Sequence, residues 1–308
     1  MPASNNDSRL LVTGASGQLG RLAIHHLLHT LNVEPSRIVA GSRSPDKLKD
    51  LAALGVLTRR VDFTDAASVE AVAQSVDRVL LISVDNLLAL LEHQKAAVKA
   101  FEAAGVKHIS YTSIVEADKA VALVAGDHRQ TEQAIRESKI PGHTFLRNGM
   151  YFDNVVLNLS VASRSGQWFT AAKDGRISAI SRDDLARAAA CALASDSMEH
   201  KVYELTGSDA GAMDQIVAQL SQTIEKPIQV VHVSPEDLAK GIAAATGLPD
   251  PVVAMLVSLD ANTAAGFAGT VTDHYKQFTG LTNTESATRK RELLVAGMMA
   301  WYWWLGSN

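Results

Sequence analysis

The chain has 308 residues, of which 47% are hydrophobic and 20% charged, and its formal net charge is −4. This composition is typical of a soluble globular protein with a sizeable core. No basic stripe is visible and the histidines are scattered, so we expect neither a nucleic-acid partner nor a metal site. The single cysteine, Cys191, excludes an internal disulfide and is interpreted as a small buried hydrophobe rather than a nucleophile. Residues 1–7 show no signal peptide, and we expect a cytoplasmic protein.

The first half of the chain alternates between apolar runs and amphipathic segments. Six strands are predicted, at Leu10–Val12, Arg37–Ala40, Leu57–Val61, Arg78–Ile82, His108–Tyr111 and His143–Leu146. Helices are predicted between them, at Gln18–Leu31, Pro45–Leu54, Ala66–Ser75, Leu87–Ala104 and His128–Ser138. Continuous apolar strands separated by helices indicate a parallel sheet covered on both faces, in the doubly wound Rossmann arrangement of an α/β protein.

After Arg147 this rhythm gives way to irregular stretches. Helices are predicted again at Asp184–Ala194, Met213–Ile224, Pro235–Ala245 and Pro251–Leu259, and strands at Lys201–Leu205 and Ile228–Val233. We expect a Rossmann domain over 1–150 and a smaller mixed α/β substrate region over 151–290. Some segments of that region return to the Rossmann core. The acidic pair Asp183-Asp184 is interpreted as a helix N-terminus rather than a catalytic pair.

The remaining residues, 291–308, form an apolar tail. Its stretch Leu293–Leu305 holds three of the four tryptophans. This stretch is too short for a membrane span, which takes about 20 helical residues. A packed terminal helix, a subunit contact in a homodimer and a foothold on a membrane surface all remain open.

Glycines follow the first predicted strand in a pattern typical of dinucleotide sites. Gly14, Gly17 and Gly20 lie in the stretch Leu10–Gly20, LLVTGASGQLG, where a strand passes into a helix. Gly14 permits a tight turn, Gly17 lets the backbone approach a pyrophosphate, and Gly20 lets helix and strand pack closely. The start of the helix then offers free N–H groups to the phosphates.

The end of the second strand indicates which dinucleotide is bound. NAD-preferring domains usually carry an acid there, whereas this chain has Ser42 and Arg43, with Lys47 nearby. A guanidinium group binds phosphate through two hydrogen bonds, so the pattern favours the 2′-phosphate of NADPH. The alternative is a solvated arginine in a loop.

Other predicted strand ends should meet the same ligand. Asp62 and Phe63 follow the third strand, where such folds contact adenine. Ile82 and Ser83 end the fourth strand, beside the expected path of the pyrophosphate and nicotinamide, and Tyr111 ends the fifth. In open α/β sheets, ligands bind outside the carboxyl ends of the strands.

Four stretches of the sequence carry a resemblance to a known family: Thr13–Gly20 (TGASGQLG), Ser110–Ile114 (SYTSI), Asp127–Ile135 (DHRQTEQAI) and Phe145–Asn154 (FLRNGMYFDN). The chain resembles the NmrA-like, atypical short-chain dehydrogenases/reductases, which include type 2 NAD(P)H:quinone oxidoreductases and triphenylmethane reductases. The resemblance implies NADPH contacts at Gly14, Ser16, Gly17, Gln18, Leu19, Arg43, Ile82 and Ser83. It also implies contacts on the nicotinamide side from Asn148, Gly149, Met150 and Tyr151.

Ordinary short-chain dehydrogenases protonate their product with a Tyr-x-x-x-Lys pair, which is missing here. Tyr111 and Tyr151 are followed four residues later by Val115 and Val155. Reduction of a simple ketone needs such an acid. A quinone accepts hydride readily, since its product is a weakly basic hydroquinone anion, and alignment in a dry site supplies much of the rate.

Candidate residues for the acceptor follow the sixth strand. Tyr151 and Phe152 are candidates for stacking on a flat aromatic acceptor, with core packing as the alternative for Phe152. Asn154 is a candidate for a hydrogen bond to a carbonyl. His128 is a candidate catalytic proton donor, or else a structural hydrogen-bonding residue.

Two functions from different classes fit these residues. The first is an NADPH-dependent reductase of a quinone or similar planar electrophile, such as an anthraquinone-type intermediate of secondary metabolism. The second is a non-catalytic sensor that binds NAD(P) and acts through a protein partner. The aromatic stretch after the sixth strand favours the enzyme.

Overall fold

The computed structural model of the chain describes residues 8–83 and 90–281. The predicted tail at 291–308, with Leu293–Leu305, lies outside the described residues, as does the start of the helix predicted at Leu87–Ala104.

The described chain contains strands of two to seven residues. They are β1 (Leu10–Val12), β2 (Ile38–Ser42), β3 (Leu57–Arg60), β4 (Arg78–Leu81), β5 (His108–Ile114), β6 (Gly142–Asn148), β7 (Gln167–Thr170), β8 (Arg176–Ile177), β9 (His200–Leu205), β10 (Gly211–Ala212) and β11 (Gln229–His232).

Helices connect most of these strands. They are α1 (Gln18–His29), α2 (Lys49–Ala53), α3 (Ala66–Ala73), α4 (Leu90–Ala103), α5 (Ala125–Glu137), α6 (Phe152–Ser165), α7 (Arg182–Ala194), α8 (Met213–Thr223), α9 (Pro235–Thr246), α10 (Asp250–Ala264) and α11 (His274–Thr279).

The main sheet has seven strands in the order β3-β2-β1-β4-β5-β6-β9. The pairs from β3 to β6 are all parallel, with Leu10 of β1 opposite both Ile38 of β2 and Arg78 of β4. The strand order reverses between β1 and β4, which is where doubly wound sheets bind their ligands. The predicted Rossmann-type α/β fold is therefore confirmed.

Burial explains why the central strands form. Every residue of β1, β2 and β4 is buried, as expected for strands covered on both faces, whereas β3 lies at the edge and exposes Arg59 and Arg60. One face of the sheet packs against α3, α4 and α5 through a cluster that contains Phe101, Tyr111 and Phe145, each no more than 1% exposed.

The chain divides into two compact units. The first unit comprises the described residues of Met1–Ala117, Gly126–Asn148 and Leu185–Tyr203. The second unit comprises the described residues of Asp118–Ala125, Gly149–Asp184 and Glu204–Asn308. Both units are thus discontinuous in sequence.

The second unit has its own small core and contains a helix that the sequence pattern did not predict. Strands β8 and β10 pair antiparallel, and β7 and β11 pair parallel. Helix α6 falls where irregular structure is expected after Arg147. It buries one face of four residues, Phe152, Val155, Leu159 and Ala162, spaced by three or four positions against Trp168.

Candidate active site

Three glycines shape the loop between β1 and α1. Gly14 has a left-handed backbone, with φ of +60°, and its carbonyl oxygen accepts a 2.9 Å hydrogen bond from the N–H of Gly17. A Cβ at Gly20 would lie 2.5 Å from the same carbonyl oxygen, so no side chain fits where α1 crosses the loop. The exposed glycines, Gly14 and Gly17, therefore leave the backbone accessible just before α1, as a pyrophosphate site requires.

Neighbouring strands hold this loop in place. The N–H of Ala15 donates to the carbonyl of Gly41 at 2.9 Å, and the hydroxyl of Ser42 donates to that of Ser16 at 2.9 Å. These contacts bind the loop to the end of β2. Ser16, a predicted cofactor residue, is therefore fixed by a partner on the strand that also leads to Arg43.

The ends of β4 and β5 are joined in a similar way. The Thr13 hydroxyl donates to the carbonyl of Leu80 at 3.1 Å and accepts from the N–H of Ile82 at 2.9 Å. The N–H of Ser83 donates to the Thr112 hydroxyl at 2.8 Å. The predicted cofactor residues Ile82 and Ser83 therefore lie at a fixed strand end, at the edge where the glycine loop also lies.

The start of α1 has the properties of an anion site. Gly17, at the N-cap, has no side chain to accept from the first helical N–H groups, and the first turn contains no acidic residue. Amides in the first turn have no acceptor within the helix, so their partial positive charge is available to a phosphate. Leu19 is only 8% exposed, so it would contribute its backbone N–H. The glycine loop and this turn fit a dinucleotide.

Arg43 is exposed directly after β2 ends at Ser42. The neighbouring carboxylate of Asp62 is held by Thr64, whose N–H and hydroxyl donate to it at 3.1 and 2.7 Å, and by an ion pair with Arg60 at 3.0 Å. Hydrogen bonds from Thr64, with the charges of Arg60 and Arg43, hold the pKa of Asp62 below its usual value. The carboxylate of Asp62 is thus held by residues of its own turn. Arg43 is an exposed cation directly after the end of β2.

Two predicted cofactor residues lie partly or wholly inside the first unit. Phe63 is partly buried against its core. Tyr111 is 1% exposed, and its hydroxyl lies 2.9 Å from Nδ1 of His128 and 3.4 Å from Oε1 of Gln94. This burial favours an internal hydrogen-bonding role, in which the Tyr111 side chain holds His128, over a direct side-chain contact with the cofactor. Burial also raises the pKa of the Tyr111 phenol.

His128 lies in the first turn of α5 and is partly buried. Burial lowers the pKa of its imidazole to about 4. The ring is then uncharged near neutral pH, so it has no imidazolium proton to deliver. The structure favours the alternative, in which His128 is a neutral hydrogen-bonding residue fixed by Tyr111.

This state of His128 leads to a prediction about pH. Replacing His128 with glutamine is expected to leave the shape of the kcat/KM profile for NADPH-dependent reduction unchanged between about pH 5.5 and 8, because the imidazole stays neutral over that range. Steady-state rates of both proteins across this range provide the measurement. A wild-type inflection near the ordinary histidine pKa that disappears in the variant would show that His128 acts as a charged acid.

One turn after His128, Glu132 forms a buried ion pair that sequence reasoning did not assign. Glu132 is fully buried and accepts from the Ser113 hydroxyl at 2.6 Å and from Nε and Nη2 of Arg147 at 2.9 and 2.7 Å. Arg136 adds a further contact at 2.9 Å. The carboxylate thereby joins the carboxyl ends of β5 and β6. Asn148, the last residue of β6, is 6% exposed.

In the second unit, a short ladder positions the residues that follow β6. Met150 accepts from the N–H of Ile180 at 3.0 Å, and the carbonyl of Ile180 accepts from the N–H of Phe152 at 2.9 Å. The N–H of Gly149 donates to the carbonyl of Leu205 at 2.8 Å. The backbone around the predicted nicotinamide and acceptor residues is therefore fixed within this unit.

The predicted acceptor residues differ in exposure. Phe152 is 7% exposed and belongs to the core of the second unit, which favours packing over stacking on an acceptor. Tyr151 is partly buried and Asn154 is exposed. Of the three, Tyr151 and Asn154 therefore present surface that an acceptor can contact.

Arg182, the first residue of α7, joins the residues around Tyr151. Its Nη1 lies 2.8 Å from Oδ1 of Asp153, its N–H donates to Oδ2 of Asp153 at 2.9 Å, and its Nη2 donates to Oδ1 of Asn154 at 3.3 Å. The guanidinium carbon lies 5.3 Å from the centre of the Tyr151 ring. The sequence pattern gave no sign of this residue beyond its place beside the acidic pair at 183–184.

That acidic pair lies in the first turn of α7, as predicted. Asp184 accepts from the Ser181 hydroxyl at 2.7 Å, and its own N–H donates back to that hydroxyl at 3.0 Å. The Tyr275 hydroxyl donates to its second oxygen at 2.9 Å. These bonds make Asp184 part of a helix cap.

Three further features concern the described ranges 8–83 and 90–281. Within them, no group of three or more His, Cys, Asp or Glu residues is arranged to hold a metal ion. The helices in these ranges are all too short or too polar to cross a membrane. Burial raises the pKa of the Cys191 thiol, which keeps it protonated and a poor nucleophile.

Together, the parallel sheet, the glycine loop at its switch point and the cation after β2 define a Rossmann-type protein built to bind a dinucleotide. The model of the NmrA-like family matches residues 6–281, and the chain belongs to this family.

Relatives of known structure or activity extend the comparison. The chain is 36% identical to quinone oxidoreductase 2 of Escherichia coli over 257 residues, which is 83% of this chain and 88% of that protein. A crystal structure of the NADPH-dependent quinone oxidoreductase of E. coli with NADPH superposes with a TM-score of 0.85, at 34% identity over 91% of this chain and 98% of that one. Triphenylmethane reductase of Citrobacter sp. with NADP(H) gives a TM-score of 0.82, at 33% identity over 88% and 95%.

Proposed function

We propose that this protein is an NADPH-dependent oxidoreductase whose acceptor is a quinone or a similar planar aromatic electrophile. The observation that carries the proposal is the glycine loop at α1, with a side-chain-free crossing at Gly20 and an exposed Arg43 at the end of β2. The similarity to a quinone oxidoreductase and a dye reductase, each over more than four-fifths of the chain, supports the acceptor class.

Residues of the first unit would hold the cofactor. Backbone N–H groups of Gln18, Leu19 and Gly20 would donate to the pyrophosphate, and Arg43 would bind the 2′-phosphate. Asp62 and Phe63 are assigned to the adenine side, and Ile82 and Ser83 to the path of the pyrophosphate and nicotinamide. The family resemblance assigns Asn148, Gly149 and Met150 to the nicotinamide side. When bound, NADPH supplies the hydride.

The chain's own residues explain why an easily reduced acceptor fits. The buried Tyr111 has its hydroxyl engaged by His128, and His128 is uncharged, so neither is a ready acid at neutral pH. A quinone takes up hydride without strong acid assistance, and water can protonate the weakly basic hydroquinone anion. Tyr151 and Asn154 are assigned to the acceptor, which makes positioning the main contribution of the site.

Three finer assignments belong to the same proposal. An anthraquinone-type intermediate of secondary metabolism has the flat, carbonyl-bearing form that this chemistry suits. A cytoplasmic setting, where NADPH is supplied, agrees with a chain that has one cysteine. A homodimer remains a prediction, to be checked by light scattering.

A direct assay tests the function. We expect the purified protein to oxidise NADPH when benzoquinone, naphthoquinone or anthraquinone derivatives are added, and to use NADH poorly. The loss of NADPH absorbance and the formation of hydroquinone are followed together, with acceptor-free and protein-free reactions as controls. Tight NADPH binding without turnover of any acceptor would instead support the sensor.

A further inference from the structure

Arg182 is held more firmly than a surface arginine usually is. Its side chain is 14% exposed, and the carboxylate of Asp153 contacts both its guanidinium, at 2.8 Å, and its backbone N–H, at 2.9 Å. Asp153 lies in the first turn of α6, whereas Arg182 begins α7. Two helix starts of the second unit are thus joined by one carboxylate, which fixes the direction of the guanidinium group.

The direction of Arg182 determines the orientation of the Asn154 amide. A guanidinium group has only donors, so the atom of Asn154 that faces Nη2 at 3.3 Å must be the carbonyl oxygen Oδ1. The Nδ2 group then lies on the other side of the amide. Since Asn154 is exposed, it presents a hydrogen-bond donor to whatever binds there.

The same guanidinium group also lies beside Tyr151, 5.3 Å from the ring centre. A planar aromatic surface at Tyr151 and an oriented N–H donor at Asn154 therefore both lie beside the guanidinium group of Arg182. Asp153 balances the charge of Arg182, so this part of the surface carries no net positive charge from that residue. The N–H donor of Asn154 is therefore the feature that distinguishes one neutral ligand from another.

We propose that the Asn154 amide donates a hydrogen bond to a carbonyl oxygen of the acceptor, and that Arg182 is the positioning residue that orients this amide. The inference rests on the proposed function and narrows it to acceptors that carry a carbonyl group. When NADPH delivers hydride to a quinone, negative charge collects on a carbonyl oxygen and solvent provides the proton that completes the hydroquinone. A donor at that oxygen gains strength as the charge develops.

The chain offers a nearly isosteric substitution that tests the donor. In Asn154→Asp, the oxygen that contacts Arg182 is kept and the N–H donor is lost. We expect kcat/KM for 1,4-naphthoquinone to fall about 10- to 100-fold, as for hydrogen bonds to a group that becomes charged. The rate with a cationic triarylmethane dye, which has no carbonyl, should not fall. The matched control is Asn158→Asp, one turn later on the exposed face of α6.

Arg182→Lys tests the positioning role. The lysine keeps the charge opposite Asp153 but cannot hold Asp153 and Asn154 together with a planar fork. We expect a lower kcat and a higher KM for naphthoquinone, because the donor binds the ground-state carbonyl and gains strength as charge develops on it, and an unchanged Kd for NADPH. Arg164→Lys, at an exposed residue in the last turn of α6, is the control. If kcat/KM fell equally with naphthoquinone and with the dye, Arg182 would have only a structural role, and its assignment as the positioning residue would be overturned.

A binding measurement separates failure of this inference from failure of the proposed function. Naphthoquinone is titrated into the full chain without NADPH by calorimetry, and the side-chain amide signal of Asn154 is followed by ¹H–¹⁵N NMR. We expect binding that weakens in Asn154→Asp and a shift of the amide signal in the wild type. If Asn154→Asp and Asn158→Asp bind naphthoquinone equally, the donor role is wrong, whatever the activity assays show. If no acceptor is reduced, the proposed function fails while this titration still decides the donor.

Discussion

Replacing Arg43 with alanine is expected to weaken NADPH binding by about 10- to 150-fold and to leave NADH binding nearly unchanged. Two hydrogen bonds from the guanidinium to the 2′-phosphate would be lost, and NADH lacks that phosphate. Arg43 is exposed at the end of β2, and its acidic neighbour Asp62 is already held by Thr64 and Arg60. Arg43 is therefore able to turn to a phosphate without breaking a buried contact.

The measurement is the Kd of each cofactor by fluorescence titration at constant ionic strength, since the contact is ionic. Arg9→Ala is the matched control, because it removes an equal charge from an exposed residue. Arg9 directly precedes β1, whereas the glycine loop follows the other end of that strand. Arg43→Asp should weaken NADPH further and improve NADH, since a carboxylate repels the phosphate and accepts from a ribose hydroxyl. Equal weakening of both cofactors by Arg43→Ala would contradict the assignment.

Much of the fold is predictable because burial and backbone geometry leave recognisable patterns in consecutive residues. Buried parallel strands require continuous apolar runs, and the runs at β1, β2 and β4 are fully buried as a result. The glycine spacing is predictable for the same reason, since the crossing at Gly20 excludes any side chain. Helix α6 could also have been predicted, because its buried residues from Phe152 to Ala162 follow a helical spacing. The polar residues between these apolar positions make the helical spacing harder to recognise.

The contacts that define the candidate site could not be predicted in this way. Arg182 lies 29 residues after Asp153, and Glu132 lies 19 residues after Ser113, so their meeting depends on how the strands and helices pack. Sequence alone also left the state of His128 open, because its pKa depends mainly on burial and its hydrogen bond to Tyr111 depends on packing. Types of residue indicate possible chemistry, whereas only packing determines which groups are paired.

Replacing Glu132 with alanine is expected to lower the free energy of unfolding by about 3–5 kcal/mol, because it leaves a buried arginine without its carboxylate. Glu132 is fully buried, and the Arg147 side chain is only 6% exposed. Arg136, at 43% exposure, can turn towards water, so the loss falls mainly on Arg147 and on the hydroxyl of Ser113. The comparison is made by urea denaturation at neutral pH. Glu137→Ala, an exposed glutamate of the same helix that contacts Gln133, is the control and should change stability little.

A second substitution distinguishes two causes of the expected destabilisation, the loss of the ion pair and the loss of packing. If the cost of Glu132→Ala comes from removing the carboxylate that balances the buried charge of Arg147, then adding Arg147→Met should recover part of the stability, since the buried charge is gone. If the cost comes from a cavity alone, the double variant should be at least as unstable as the single one. A double-mutant cycle with Glu132→Ala and Arg147→Met gives the coupling between the two residues directly. Coupling near zero would show that the ion pair joining β5 and β6 does not stabilise these strand ends.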